Sequence, residues 1–253
     1  MSHQTPASPH FPEPHALTKP QKVYLWLCSI SLASLLVADV VGVKLFRIPL
    51  PFSIAGYDAV EHTCGMLTFP ITFVLTDLVN EYFGKKAARR LTYIGVAMGL
   101  FVFAVLNIAQ AMPYLDKPFN VSKASFDAIF GSAKVMYVAS LSAYLIGQLA
   151  DISMFGLIKR ATGEKYVWLR ATGSTVLSQM LDSFVVSYLA FSLGRRLFGA
   201  ADGPPPATMH EIMTIAITGY TLKFVLAIAM TPVIYAGRWA MRTWFGLVPM
   251  AAE

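Results

Sequence analysis

GMLTFPITFVLTDLVNEYF, residues 65–83, is long and apolar enough to cross a bilayer, yet its second half carries Asp77, Asn80 and Glu81. A helix needs roughly 20 mostly apolar residues to traverse the hydrocarbon, and a charged side chain kept at that depth costs at least ~2.5 kcal/mol. Such a stretch predicts a span packed among other spans, because lipid cannot satisfy its polar groups. Asp77, Asn80 and Glu81 stand three or four residues apart, so a helix gathers them on one face.

Five further stretches meet the same requirement, near 23–43, 91–112, 135–158, 173–193 and 212–236. The fold class that follows is all-α: a polytopic membrane bundle of six transmembrane helices. Composition agrees, at 56% hydrophobic and 13% charged, since soluble domains carry about 25% charged residues. The net charge of +6 comes from short Lys and Arg clusters between apolar runs, the pattern that anchors spans in lipid and not a nucleic-acid footprint. Residues 1–20 read as a disordered tail, 21–240 as one six-span membrane domain and 241–253 as a C-terminal tail. His3, His10 and His15 are irregularly spaced among prolines, which favours a solvated tail over a metal site. The run 23–43 is too long for a signal peptide's apolar core. Cys28 and Cys64 fall in or beside apolar runs and imply no disulfide framework, and no cofactor or metal is expected.

Connections are short, and those at 113–134 and 194–211 carry Pro113, Pro118 and Pro204 to Pro206 as turn formers. Phe126, Ile129 and Phe130 have helical spacing and predict a short helix at the membrane surface. Twelve Lys and Arg residues fall on the side of the termini and seven on the other, with Lys223 inside the last span. The positive-inside rule then places both termini in the cytoplasm.

Every span contributes polar residues at membrane depth: Asp39; Asp77, Asn80 and Glu81; Asn107 and Gln110; Gln148 and Asp151; Gln179 and Asp182; Lys223. The pairs share helix faces, so each helix has one polar edge and the edges should meet around a central path for a small polar solute. At about 1.5 Å per residue, Gln148, Asp182 and Lys223 lie near mid-membrane, Asp77 and Asp151 nearer the cytoplasm, Asp39 and Asn107 nearer the outside. The plain alternative is structural, with Lys223 paired to Asp182 or Asp151 and the amides bonded to neighbouring backbones. Glu81 and Lys44 stand close to helix ends, within reach of the interface.

Several short motifs recur in a fixed order: Phe69-Pro70, Thr76-Asp77-Leu78, Asn80-Glu81, Gly84 and Ala88-Arg89-Arg90; then Ala143-Tyr144, Gly147-Gln148 and Asp151; then Trp168-Leu169-Arg170, Ser174-Thr175, Gln179, Asp182 and Lys223. Over residues 23–236 this pattern resembles the queuosine precursor transporter family, bacterial membrane proteins sometimes classed with vitamin uptake transporters. Ala38-Asp39 departs from it, standing where a Ser-Asn pair is common in the family. The extra carboxylate suits a cationic solute, or a pairing with Lys44 or Arg47.

The resemblance implies a multi-pass protein of the bacterial inner membrane that imports 7-deazaguanine bases, with a deazaguanine base and the lipid bilayer as its partners. Carboxylates accept the adjacent N–H donors of a guanine-like edge, and amides serve its carbonyl and ring nitrogen. Asp77, Asp151 and Asp182 are the candidate acceptors, Asn80, Gln148 and Gln179 the amide partners, with Lys223 beside them. Phe73, Tyr144 and Phe184 are candidates for stacking on the flat ring, although aromatics at helical spacing are more often packing residues. Pro70, Pro232, Gly65, Gly147 and Gly219 are places where helices can bend during alternating access.

Two rival readings remain. An intramembrane aspartate-dependent enzyme would need paired acid and base, but no Gly-x-Gly-Asp, His-Glu-x-x-His or Gly-x-Ser-x-Gly motif is present, and the chain reads as no enzyme. A substrate-binding subunit energised by a separate ATPase is the other, since no P-loop occurs here. Proton coupling and passive facilitation are both compatible with the residues, as is a homodimer.

Overall fold

A computed structural model describes residues 17–54, 57–130, 134–162, 165–198 and 205–251. The tail histidines His3, His10 and His15 therefore lie outside the described residues. Thr18 starts α1 (Lys19–Val41) with a capping box: its side chain accepts from the Gln21 N–H, while the Gln21 side chain accepts from the Thr18 N–H at 2.9 Å.

An antiparallel hairpin follows, β1 (Leu45–Ile54) and β2 (Tyr57–Thr63), in register Leu45↔Thr63 and Ile48↔Val60. The helical reading of the sequence omitted it. The ladder becomes irregular between Pro49 and Ile54, where Pro49 and Pro51 have no N–H to donate. A 3-10 turn, Cys64–Leu67, returns the chain to the bundle. There a Cβ on Gly65 would stand 2.7 Å from the Ala38 carbonyl oxygen, so only glycine fits.

The next helix, α2 (Phe69–Ala111), has 43 residues, about 65 Å of helix against some 30 Å of hydrocarbon. It is broken at Gly84, whose φ of 83° and ψ of 168° belong to a region that only glycine occupies without strain. Contacts with α1 show that the chain turns back there. Thr68 donates to the Ser34 carbonyl and Tyr24 packs on Phe83, so the first half runs antiparallel to α1. Tyr24 also reaches the Ala87 carbonyl, and Leu35 packs at Gly95, so the second half runs parallel to it. The stretches expected at 65–83 and 91–112 are the two arms of this one broken element.

Then come α3 (Lys123–Phe130), α4 (Lys134–Ala161) and α5 (Val167–Ser187), the last continuing through a π-helical turn at Tyr188–Leu193 into α6 (Gly194–Phe198). The short helix expected from Phe126, Ile129 and Phe130 is α3. Thr208 and Glu211 form the capping box that opens α7 (Met209–Ala229), and α8 (Thr231–Thr243) follows with Pro232 in its first turn. Among the described residues, five helical stretches, containing α1, α2, α4, α5 and α7, are long and apolar enough to cross a membrane.

The molecule is apolar outside and polar within. Trp26, Ile94, Phe101, Met180 and Val225 are exposed, while Thr76, Asp77, Gln148, Asp151, Ser178 and Asp182 are buried. That arrangement suits a lipid surround, where the polar edges have only each other. The buried face of α5 is built from small polar residues, among them Ser174, Thr175, Ser178 and Ser183, which lets α4 approach closely. Residues beyond α8 are fastened to the bundle. Leu247 donates to the Met241 carbonyl at 3.0 Å, and Met250 donates to the Glu81 carbonyl at 2.9 Å.

Candidate functional site

The first arm of α2 meets α5, α7 and α8 around a cleft of about 400 Å³. Its walls include Phe69, Phe73 and Asp77 from α2, Thr172, Thr175 and Gln179 from α5, Lys223 and Ala227 from α7, and Ile234 from α8. Four of the residues singled out from sequence thus converge here: Phe73, Asp77, Gln179 and Lys223. Phe69 and Thr175 belong to the quoted motifs but, like Thr172, were not named as solute contacts, yet a signal for them exists. Phe69 lies one turn before Phe73, and Thr172, Thr175 and Gln179 share helical spacing.

Asp77 is 2% exposed and receives no N–H or hydroxyl donor from the protein, the group within its hydrogen-bonding reach being the Asp151 carboxyl. Across from it lies Asp151, deeper in the bundle, whose Oδ1 accepts from Ser178 at 3.1 Å. Ser174, Thr175 and the Asp77 carboxyl also lie within hydrogen-bonding reach of Asp151. Buried polar groups are ordinarily satisfied, so the Asp77 carboxyl, with only another carboxyl beside it, marks a place in the cleft wall able to receive donors. The Gln179 Nε2 lacks a partner too, which adds a donor on the facing wall.

Lys223 forms an ion pair with Asp182, the pairing foreseen in the structural alternative. Its ammonium also lies 5.8 Å from the Phe69 ring centroid, a cation–π contact within the usual range. Gly147 makes room for the pair, because a Cβ there would sit 3.2 Å from the Asp182 Cβ. Gln148, 0% exposed, has no partner at either side-chain atom.

The remaining candidates stand apart from the cleft. Tyr144 is buried behind it, edge-on to Phe69 at 6.4 Å. Phe184 stacks on Tyr188 at 6.4 Å instead, and the Asn80 amide donates to the Ile152 carbonyl at 3.4 Å. Asp39 and Asn107 line a second cavity of about 380 Å³ with Phe103, Tyr137 and Lys134. There the Asn107 amide bonds its own helix at Phe103, while Gln110 reaches Asp127 on α3.

Glu81 corrects the expectation drawn from its position near a helix end. It is 2% exposed and binds three cations: Arg170 at 2.5 Å, Arg238 at 2.6 Å and Lys159 at 3.4 Å. It does not reach the interface, because α4, α5 and α8 cover that end of α2.

At the other end, His62 of β2 lies against the Gly219 carbonyl and near Lys223. Its Nδ1 accepts from the Thr63 N–H at 2.9 Å. Burial, and then the Lys223 ammonium, push the imidazole down to about 4. The unfolded value is about 6.5, so the stability that neutral His62 contributes is complete above that pH and is lost as pH falls toward 4. A His62→Gln variant is therefore expected to lose less thermal stability than the parent between pH 7 and pH 4. Parallel melting curves across that range would contradict this assignment.

A family described as "Putative vitamin uptake transporter" matches residues 63–237. The "Queuosine precursor transporter" of Escherichia coli is 27% identical over 212 residues, 83% of this chain and 84% of that protein. The "Probable queuosine precursor transporter" of Bacillus subtilis is 27% identical over 177 residues, 70% and 71% of the two chains, and that of Haemophilus influenzae is 29% identical over 164 residues, 60% and 65%. No solved structure matches. The family match covers more than half of the sequence, and the chain therefore belongs to the vitamin uptake transporter family: it is a membrane transporter, not an enzyme.

Proposed function

We propose that this chain imports queuosine precursors, 7-deazaguanine bases, across the bacterial inner membrane through the cleft between α2, α5, α7 and α8. The observation that carries the proposal is Asp77, buried in the cleft wall with no N–H or hydroxyl donor from the protein. A guanine-like edge presents adjacent N–H groups that one carboxylate accepts together. Gln179 supplies a free amide opposite, and Phe69 and Phe73 supply aromatic surface for a flat ring. In this reading Asp77 and Gln179 touch the base. The Asp182–Lys223 pair sets the charge of the wall, while Asp151 and Gln148 hold a second layer behind it.

The two arms of α2 act as separate spans, which brings the number of crossings to six with both termini in the cytoplasm. The reversal at Gly84 and the excess of Lys and Arg on the side of the termini support this. Relatives named as queuosine precursor transporters in three bacteria support the solute.

The test is uptake of a radiolabelled deazaguanine base into proteoliposomes holding only this protein, with and without a proton gradient. Saturable uptake is expected, and Asp182→Asn should reduce it on the order of tenfold or more by leaving Lys223 unpaired beside the site. A gradient effect separates coupled from passive transport. Folded protein that takes up nothing would refute an autonomous carrier of this solute.

A further inference from the structure

The Glu81 cluster sits one helical turn beyond the cleft. Asp77 and Ile234 line the cleft, and Glu81 and Arg238 follow each of them by four residues on α2 and α8. Arg170 precedes the cleft residue Thr172 by two on α5, and Lys159 comes from α4. One carboxylate therefore ties α2 to α4, α5 and α8 at the end of the cleft nearest the Gly84 turn. Tyr82 adds a bond to the Arg238 carbonyl at 3.3 Å.

The segment after α8 is bound to the same cluster. The break at Gly84 removes helical partners from the carbonyls just before it, and the Met250 N–H takes up that of Glu81. Lys159, held by the Glu81 carboxylate, donates to the Met250 carbonyl at 2.6 Å. Leu247 packs against the core that holds Ile234 and Met241.

We propose that the Glu81 cluster is a gate closing this end of the cleft, and that residues 244–251 are the strap that keeps the gate shut. This rests on the reading of the cleft as the solute path. Helices α4, α5 and α8 cannot move away from α2 while Glu81 holds a cation from each, and the strap shares both Glu81 and Lys159. Release of the strap frees a main-chain bond and a cation together, so opening at this end requires the segment to lift.

The test reads access to the cleft without any solute. Thr172→Cys is introduced with Cys28 and Cys64 changed to Ser, and the detergent-purified protein is reacted with a charged thiol reagent. Ending the chain after Thr243, or changing Met250→Pro to remove its N–H, is expected to speed labelling about tenfold, the effect of losing a hydrogen bond or two. If truncation prevents folding, Met250→Pro decides. Unchanged labelling in variants that melt like the parent would overturn the strap. Faster labelling, where the parent protein takes up no deazaguanine base, would uphold the gate and refute the solute.

Discussion

Changing Glu81 to Gln is expected to lower the stability of the protein by about 3–5 kcal/mol, the usual consequence of removing one partner from a buried ion cluster. Arg170, Arg238 and Lys159 all converge on this carboxylate, and Arg170 and Glu81 are almost wholly excluded from solvent. A neutral amide of the same shape would leave the three positive charges close together with nothing between them. Thermal unfolding in detergent measures the effect, with Asp127→Asn as the comparison. Asp127 also sits 2.5 Å from a cation, Lys123, but on the surface, where an ion pair contributes little. A large drop for Glu81→Gln and none for Asp127→Asn is the expected result. Equal melting temperatures for Glu81→Gln and the parent would mean that the cluster does not hold the helices together.

Asp77→Asn is expected to have the opposite profile. Two charge-assisted hydrogen bonds to the solute would be weakened or lost, about 3 kcal/mol in all, or on the order of 100-fold in affinity. The fold should not suffer. Asp77 has no N–H or hydroxyl donor to lose and faces Asp151, so neutralising it relieves two carboxyls confined in a low-dielectric interior. The melting temperature should hold or rise while binding of a deazaguanine base disappears. Equilibrium binding of a labelled base, measured beside thermal unfolding, checks both halves. Retained binding with reduced stability would make Asp77 a structural residue and shift the site elsewhere on the cleft wall.

The two variants separate residues that look alike in the sequence. Asp77 and Glu81 are one turn apart on the same helix face, both acidic and both expected at membrane depth. Only Glu81 is ion-paired. Nothing local distinguishes them, since Arg170 and Arg238 lie 89 and 157 residues away from Glu81 in the chain. The same holds for Lys223. Its sequence position allows it to reach several acids, and the packing of α5 on α7 pairs it with Asp182 and not with Asp77.

The sequence by itself determined that this is a bundle of membrane helices with polar edges turned inward, because both facts follow from local rules. Length and apolarity decide what crosses a bilayer, and the 3.6-residue period decides which side chains share a face. The α3 helix and the inward polar edges that carry Asp77, Gln179 and Asp182 were legible for that reason. The tertiary structure decided what depends on distant partners: the β1–β2 hairpin, the placing of Tyr144, Asn80 and Phe184 off the cleft, the burial of Glu81 and the return of Met250 to the bundle. Each of these is a choice among contacts that are equally open to an isolated helix. Only the simultaneous packing of all the helices removes the alternatives.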